Sequence, residues 1–278
     1  MSNLVKKTKL VTLAALLAFG AASQASAATI SFGGQTATDG SGQTSSRIDA
    51  SNQITAATVS NGYFVETFDS ATVFPVGAGG DTSYNVAGAS DGCQINSPLA
   101  VTPSGAGVLN VRNNSVPNVA AAPAGDNTCY AYTTPENIGS DSSVDINYTT
   151  FLANVGGIEA SLAGSKINYL GFYWGSVDTY NSFEFYDGAT LVASITGPQL
   201  LAQLNGSPGN QTSPASNTYV NIDFSDAEAF DNFKVISSGI AGEFDNVVVG
   251  LKQVPAPANL AFLGLGLLGL GLGRRFKK

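Results

Sequence analysis

The side chains of this chain that could do chemistry are almost all carboxylates. Its 278 residues carry 20 Asp and Glu against 12 Lys and Arg, with two Cys and no His. Without His, the Ser-His-Asp and Cys-His relays lose their general base, and most catalytic zinc sites lose a usual ligand. No glycine-rich loop stands in the strand-to-helix context that phosphate binding requires. Paired carboxylates can hydrolyse glycosidic bonds, and Glu66, Glu159, Glu184 and Glu243 are the candidates outside expected helical turns and loops. Glu184 and Asp187 are three residues apart across a strand end and a turn, so they do not share a strand face. No catalytic residue is assigned, and the chain is expected not to be an enzyme.

Carboxylates also hold hard cations, and calcium takes carboxylate and carbonyl oxygens. Strand alternation over Glu243–Val249 puts Asp245 on the face of Val247 and Val249, where a carboxylate needs a partner. No cation lies near it in sequence. Glu66 or Asp69 follows an early strand, and early and late strands are often neighbours in jelly rolls, so Glu66, Asp69 and Asp245 form a candidate calcium site. This resembles the structural calcium of carbohydrate-binding modules. The alternative is that Asp245 accepts backbone amides at a strand end. No cofactor is required beyond that possible structural Ca²⁺. Gly175–Asn181 is a second oxygen-rich stretch, read as a plain loop. Tyr173, Trp174, Tyr180 and Tyr186 include the ring types of a sugar platform, but Trp174 sits in the most apolar run, which favours core packing. Asn113-Asn114-Ser115, Asn147-Tyr148-Thr149 and Asn210-Gln211-Thr212 match the N-glycan acceptor triplet.

The two ends carry the clearest organisation. Lys6, Lys7 and Lys9, an apolar run over 10–22, and Ala25-Ser26-Ala27 have the layout of a secretory signal helix over 1–27, cleaved after Ala27. In an exported chain Cys93 and Cys129 have one intramolecular pairing. That disulfide is worth about 3–4 kcal/mol on the chain-entropy model. At the other end Val254-Pro255-Ala256-Pro257 precedes an uncharged run over 258–273, then Arg274-Arg275-Phe276-Lys277-Lys278. As a helix that run is about 24 Å long, a short transmembrane helix, with its cations placed for a cytoplasmic end. Between the ends, the body 28–253 holds all 20 acids and only Arg47, Arg112, Lys166, Lys234 and Lys252, a charge of 5 − 20 = −15. A body this acidic lacks the basic patch that nucleic acid demands.

A Pro-rich tetrapeptide, a short apolar helix and a basic end, in that order, resemble the PEP-CTERM sorting signal of Gram-negative bacteria. Ala256 stands where the family motif has Glu. The resemblance implies recognition at Val254, Pro255, Ala256 and Pro257 by an exosortase at the inner membrane, orientation by Arg274 and Arg275, and release toward the exopolysaccharide of a surface or biofilm matrix. Within the body, Gly171-Phe172-Tyr173-Trp174-Gly175-Ser176, Asp178, Tyr180-Asn181, Phe185-Tyr186-Asp187-Gly188 and Glu243-Phe244-Asp245-Asn246-Val247 are similar to exosortase-dependent surface proteins. A structural or adhesive role is the first expectation, and a carbohydrate-binding module the second.

The elements that must position these residues read as many short strands. Residues 28–61, rich in Ser, Thr, Gly and Gln and weakly alternating around Ile54–Val59, read as a loosely ordered lead-in with one or two strands. Strands are expected over 63–74, 108–112, 128–133, 143–148, 158–162 and 232–236, with a central one over 166–174. Asp187-Gly188 marks a hairpin between 182–186 and 189–195. Thr196 opens a short helix closed by Asn205-Gly206, and Thr218–Phe224 alternates as a half-buried strand. The fold class expected is all-β, a single jelly-roll-like sandwich over 28–253.

Overall fold

The computed structural model describes residues 28–69, 92–93, 100–105, 108–134 and 142–253. The signal segment with Ala25 and Ala27, and the sorting segment from Val254 to Lys278 with its apolar run 258–273, lie outside the described residues. In chain order the elements are β1 (Thr29–Phe32), β2 (Gln35–Thr36), β3 (Gln43–Thr44), α1 (Ala56–Ser60), β4 (Tyr63–Glu66), β5 (Ala100–Gly105), β6 (Val108–Asn113), β7 (Cys129–Thr134), β8 (Ser142–Asn147), α2 (Thr149–Asn154), β9 (Ser165–Gly175), β10 (Asn181–Asp187), β11 (Thr190–Thr196), α3 (Gly197–Leu204), β12 (Thr218–Asp223), β13 (Asn232–Ser237) and β14 (Gly242–Gln253). Among the described residues no helix is long and apolar enough to cross a membrane.

Antiparallel pairing sorts these strands into two main sheets in sandwich-like layers and a separate two-stranded β2–β3 sheet. The larger runs β1-β12-β9-β14-β7-β6, with β4 also on β14, and the smaller runs β11-β10-β13-β8-β5. Alternation sends Phe172, Trp174, Val220 and Phe244 of the larger sheet against Val144, Phe183, Phe185 and Phe233 of the smaller. Phe183 is the hinge of this packing, with its ring centroid 4.4 Å from Phe172 and 4.8 Å from Trp174. Each such ring contributes about 1.5–3 kcal/mol by leaving water. The outer strand β11 is the thin edge of the smaller sheet, and its Leu191 is 52% exposed.

Strand β9 lies between β12 and β14, as its apolar composition requires, and it is covered on both faces. The second cover is the segment 28–61, which carries three short strands, β1, β2 and β3, and has the helix α1 where weak alternation was expected around 54–59. Its stretch from Gly33 to Gln53 straps the outer face of the larger sheet, burying Ser41, Thr44, Ser45 and Asn52 completely. Polar composition suggested looseness because the strap is held by hydrogen bonds rather than by apolar contact. It lies over Tyr169, Tyr173 and Tyr219; in β12 it buries Tyr219, while Asn221 and Asp223 stay partly exposed, as the half-buried pattern expects. At Gly42 the backbone has φ +80°, and a Cβ there would stand 2.6 Å from Tyr173 Cε1, so only glycine lets the strap lie this close.

Other expectations shift locally. The stretch 158–162 forms a 3-10 turn over Ala160–Leu162 after another over Val155–Gly157, not a strand. The β10–β11 hairpin pairs Asp187 with Thr190, so its turn residues are Gly188 and Ala189. Helix α3 has the expected capping box of Thr196 and Gln199, and Asn205 closes it at φ 54°.

Strand β14 corrects the alternation on which the calcium site was first drawn. Phe244, Val247, Val249 and Leu251 all face the inter-sheet core, whereas Val248 packs with Val65 and Tyr169 beneath the strap. Two inward residues three apart require an extra residue, and the register against β9 shifts between Asp245 and Val248. Asn246, at φ 49°, is that bulge. It turns Asp245 to the strap side, opposite to Val247 and Val249.

Candidate functional site

The bulge carries Asp245 into a buried acidic region between the larger sheet and its strap. Asp245 pairs across strands with Tyr173 and is 0% exposed. Three further acids reach this region. Asp39 comes from the strap, Asp69 from the chain just after β4, and Asp126 from the β6–β7 connection. The strap and that connection are joined by a bridge between Ser41 and Asp126, and Asn127 N–H donates to Gly40 O at 2.9 Å. Asp69 Oδ1 accepts from Cys129 N–H at 3.1 Å. Cys129 is joined to Cys93, the expected disulfide, so this staple sits beside that region.

The outer acids are partly satisfied and the inner ones are not. Asp39 Oδ1 accepts from Ser41 N–H at 3.0 Å and Ser41 Oγ–H at 2.6 Å, and its Oδ2 accepts from Asn52 Nδ2 at 2.8 Å. Asp126 Oδ1 accepts from Thr128 N–H at 2.8 Å and Thr128 Oγ1–H at 2.9 Å. Its Oδ2, both carboxylate oxygens of Asp245, and Asn52 Oδ1 are buried and have no hydrogen-bond donor among the described residues. Asn52 Nδ2 also reaches Asn246 Oδ1 at 3.2 Å, and Asn246 Nδ2 donates to Ser41 Oγ at 2.7 Å. This ring of amides and hydroxyls fixes the strap over the bulge.

The electrostatics follow from burial without a counter-charge. Asp245 is held well above the usual carboxylate range by desolvation, reinforced by Asp126, Asp69 and Asp39. The Asn246 N–H opposes this by more than Asp69 or Asp39 adds, although it falls outside hydrogen-bond geometry. Asp126 is pushed up to about 7 by burial, despite its bonds to Thr128, and burial also raises Asp69. Four of the five body cations are committed elsewhere: Arg47 to Asp223, Lys166 to Asp187, Lys234 to Asp145 and Lys252 to Asp226. Among the described residues no three acids or cysteines already stand at metal-ligand spacing.

The structure therefore brings Asp69 and Asp245 into one region and separates Glu66 from them. Glu66 pairs with Val247 and faces the inter-sheet core, where its Oε1 accepts from Phe68 N–H at 2.8 Å. It lines a small hollow with Tyr148 and Phe233. Asp39, Asn52 and Asp126 had gone unassigned. The first and last of these acids share an Asp-x-Ser/Thr turn, Asp39-Gly40-Ser41 and Asp126-Asn127-Thr128, the one local signal they carry.

A second concavity of about 490 Å³ opens at the end of β14. Ser115, Asn118, Ser176, Asp178, Gln211 and Glu243 are among its lining residues. Glu243 forms its floor, accepting from Ala121 N–H at 3.0 Å and from Ser176 Oγ–H at 3.0 Å. Burial, with Asp178 adding repulsion, pushes Glu243 up to about 8, so this carboxyl is largely protonated at neutral pH. Asp178 is raised by burial, and the single proton of the Tyr180 hydroxyl is shared between Asp178 Oδ2 and Ile240 O, both within hydrogen-bond distance. The rings proposed for a sugar platform do not meet here. Trp174 is 0% and Tyr173 1% exposed, and the Tyr186 hydroxyl donates to Glu184. Nor do the four glutamates gather: Glu159 caps Ser161 and Glu66 lies in the core.

No protein-family model matches the chain, and neither does any curated protein. Among solved structures it is similar to the enzymatically active domain of tailspike protein 4 of bacteriophage CBA120. That match has 15% identity and a TM-score of 0.30, and it covers 55% of this chain and 19% of the other. At that TM-score it carries no argument about fold or activity.

Proposed function

We propose that this chain is an exported, non-enzymatic surface or extracellular-matrix protein with a structural or adhesive role, sorted by an exosortase through residues 254–278. The body would be a jelly-roll-like sandwich delivered to the cell surface and its exopolysaccharide, after a signal helix over 1–27 and a transmembrane stage over 258–273. The observation that carries the reading is the ordered run of Pro-rich tetrapeptide, apolar stretch and Arg274-Arg275-Phe276-Lys277-Lys278. Two features of the body support it. Strand β14 ends at Gln253, one residue before Val254, so cutting near Pro257 would free the sandwich without opening a strand. The disulfide beside the acidic region suits an oxidising compartment. The test is replacement of Arg274, Arg275, Lys277 and Lys278 by Ala, followed by surface labelling in a host with an exosortase. Loss of surface display is expected; normal display would remove the orienting role of these charges.

The cleft favours a second reading, binding of carbohydrate by the body. A neutral carboxyl with amide and hydroxyl groups suits an uncharged polyhydroxyl ligand better than an ion. Binding of the host polysaccharide lost in Gln211→Ala and Asn118→Ala would support it, and unchanged binding would exclude this cleft.

A further inference from the structure

We propose that the buried acidic region beneath the 33–53 strap binds one hard divalent cation, calcium by its all-oxygen chemistry, through Asp245, Asp126 and Asn52 Oδ1, and that the ion pins the strap to the larger sheet. The proposal starts from orphaned atoms rather than from acidity. Buried polar atoms are nearly always satisfied. Here four acceptor oxygens, two on Asp245 and one each on Asp126 and Asn52, are buried in one region and none has a donor among the described residues. Asp245 and Asn52 are both 0% exposed. Protonating Asp245 would repair only part of the defect, because one O–H can serve one of these acceptors and leaves the others without a donor. A cation that draws these oxygens together would satisfy them and remove the mutual repulsion of the carboxylates.

The surrounding chemistry selects the class of ion. The acids that act on Asp245 are Asp126, Asp69 and Asp39, and no Lys or Arg opposes them. Oxygen is the only donor type among these side chains; the two cysteines are consumed in the disulfide. Carboxylate, amide and carbonyl oxygens in an irregular set suit calcium, which accepts six to eight such ligands with loose geometry, better than magnesium. The acids also form a path inward. Asp39 is exposed, Asp69 half-buried, Asp126 nearly buried and Asp245 fully buried. Because no three acids stand at ligand spacing, binding would draw Asp126 and Asp245 together. It would thereby tie the strap, through the Ser41–Asp126 bridge and the Asn52–Asn246 contact, to the bulge of β14.

The test uses the purified full chain, stripped with EGTA and titrated with CaCl₂. One calcium per chain by equilibrium dialysis is expected, with a rise in melting temperature of about 5–10 °C at a hundredfold excess over Kd. Tb³⁺ in place of calcium should luminesce on excitation of Tyr173, which lies cross-strand from Asp245, and calcium should quench that signal by competition. Asp245→Asn and, as a second variant in the surface connection, Asp126→Asn should each weaken calcium binding at least tenfold, while Glu66→Gln should leave it unchanged. Stripping should also speed proteolysis within residues 33–53. The proposal fails if the wild-type chain takes up no calcium, the result expected when water or protons alone occupy the region. It fails equally if calcium binds the two Asn variants as tightly as the wild type, since the ion would then sit elsewhere.

Discussion

Replacing Glu243 by Gln should stabilise the protein, and the gain should vanish in acid. The Glu243 carboxyl is 2% exposed, and burial raises it from 4.5 to about 8. At pH 7 the unfolded chain carries it ionised, while the folded chain must take up a proton to bury it. That proton uptake costs about 3 kcal/mol. The sign follows from a raised folded pKa: the stability contribution is full below pH 4.5 and is lost as pH rises through about 8. Gln needs no proton. Its Oε1 can accept from Ala121 N–H as Glu243 does, and its amide can donate to Ser176 Oγ, which rotates to accept. We therefore expect Glu243→Gln to add about 2–3 kcal/mol in urea unfolding at pH 7.5 and close to nothing at pH 4.5. The wild type alone should lose up to about 1.4 kcal/mol per pH unit from this group between those limits. An equal loss of stability at both pH values would refute the reasoning, because it would mean that Glu243 is ionised and its hydrogen bonds need the charge.

Three other outcomes follow from the same geometry. Reduction of Cys93–Cys129, which closes a separation of 36 residues, should cost about 3–4 kcal/mol and is read as a drop in the urea midpoint with dithiothreitol. Gly42→Ala should cost about 1–3 kcal/mol, since the residue has φ +80° and Tyr173 Cε1 stands 2.6 Å from the added Cβ; hydrogen exchange should rise in the strap before the sheets. Trp174→Ala should cost about 3–5 kcal/mol, because Trp174 is wholly buried against Phe183, and a change this large would be absent if the ring served a surface sugar platform.

The parts of this fold legible in the sequence are those whose partners lie nearby or whose pattern is simple. The aromatic run of β9 announces a strand buried on both faces, and the Thr196 and Gln199 box announces α3. The strap was not legible, because its Ser, Thr and Gly residues are held by long-range hydrogen bonds such as Asn246 to Ser41, which leave no periodic trace. The sequence singles out Asp245 as a carboxylate without a nearby cation, but simple alternation puts it on the face opposite to the one it occupies. A single bulge at Asn246 reverses the alternation, and a one-residue slip moves every later side chain to the opposite face. Glu66 was misassigned for the same reason: its strand does neighbour β14, yet its side chain points inward. Asp126 becomes a partner of Asp245 only once the β6–β7 connection meets the strap.

The central claim is sorting to the surface with removal of the terminal segments. Its most direct test is the intact mass of the protein recovered from the surface of its own host. The account predicts a chain that begins at Ala28 and ends near Pro257, with added mass if the surface polymer is attached. A recovered mass that still includes Lys278 would contradict it.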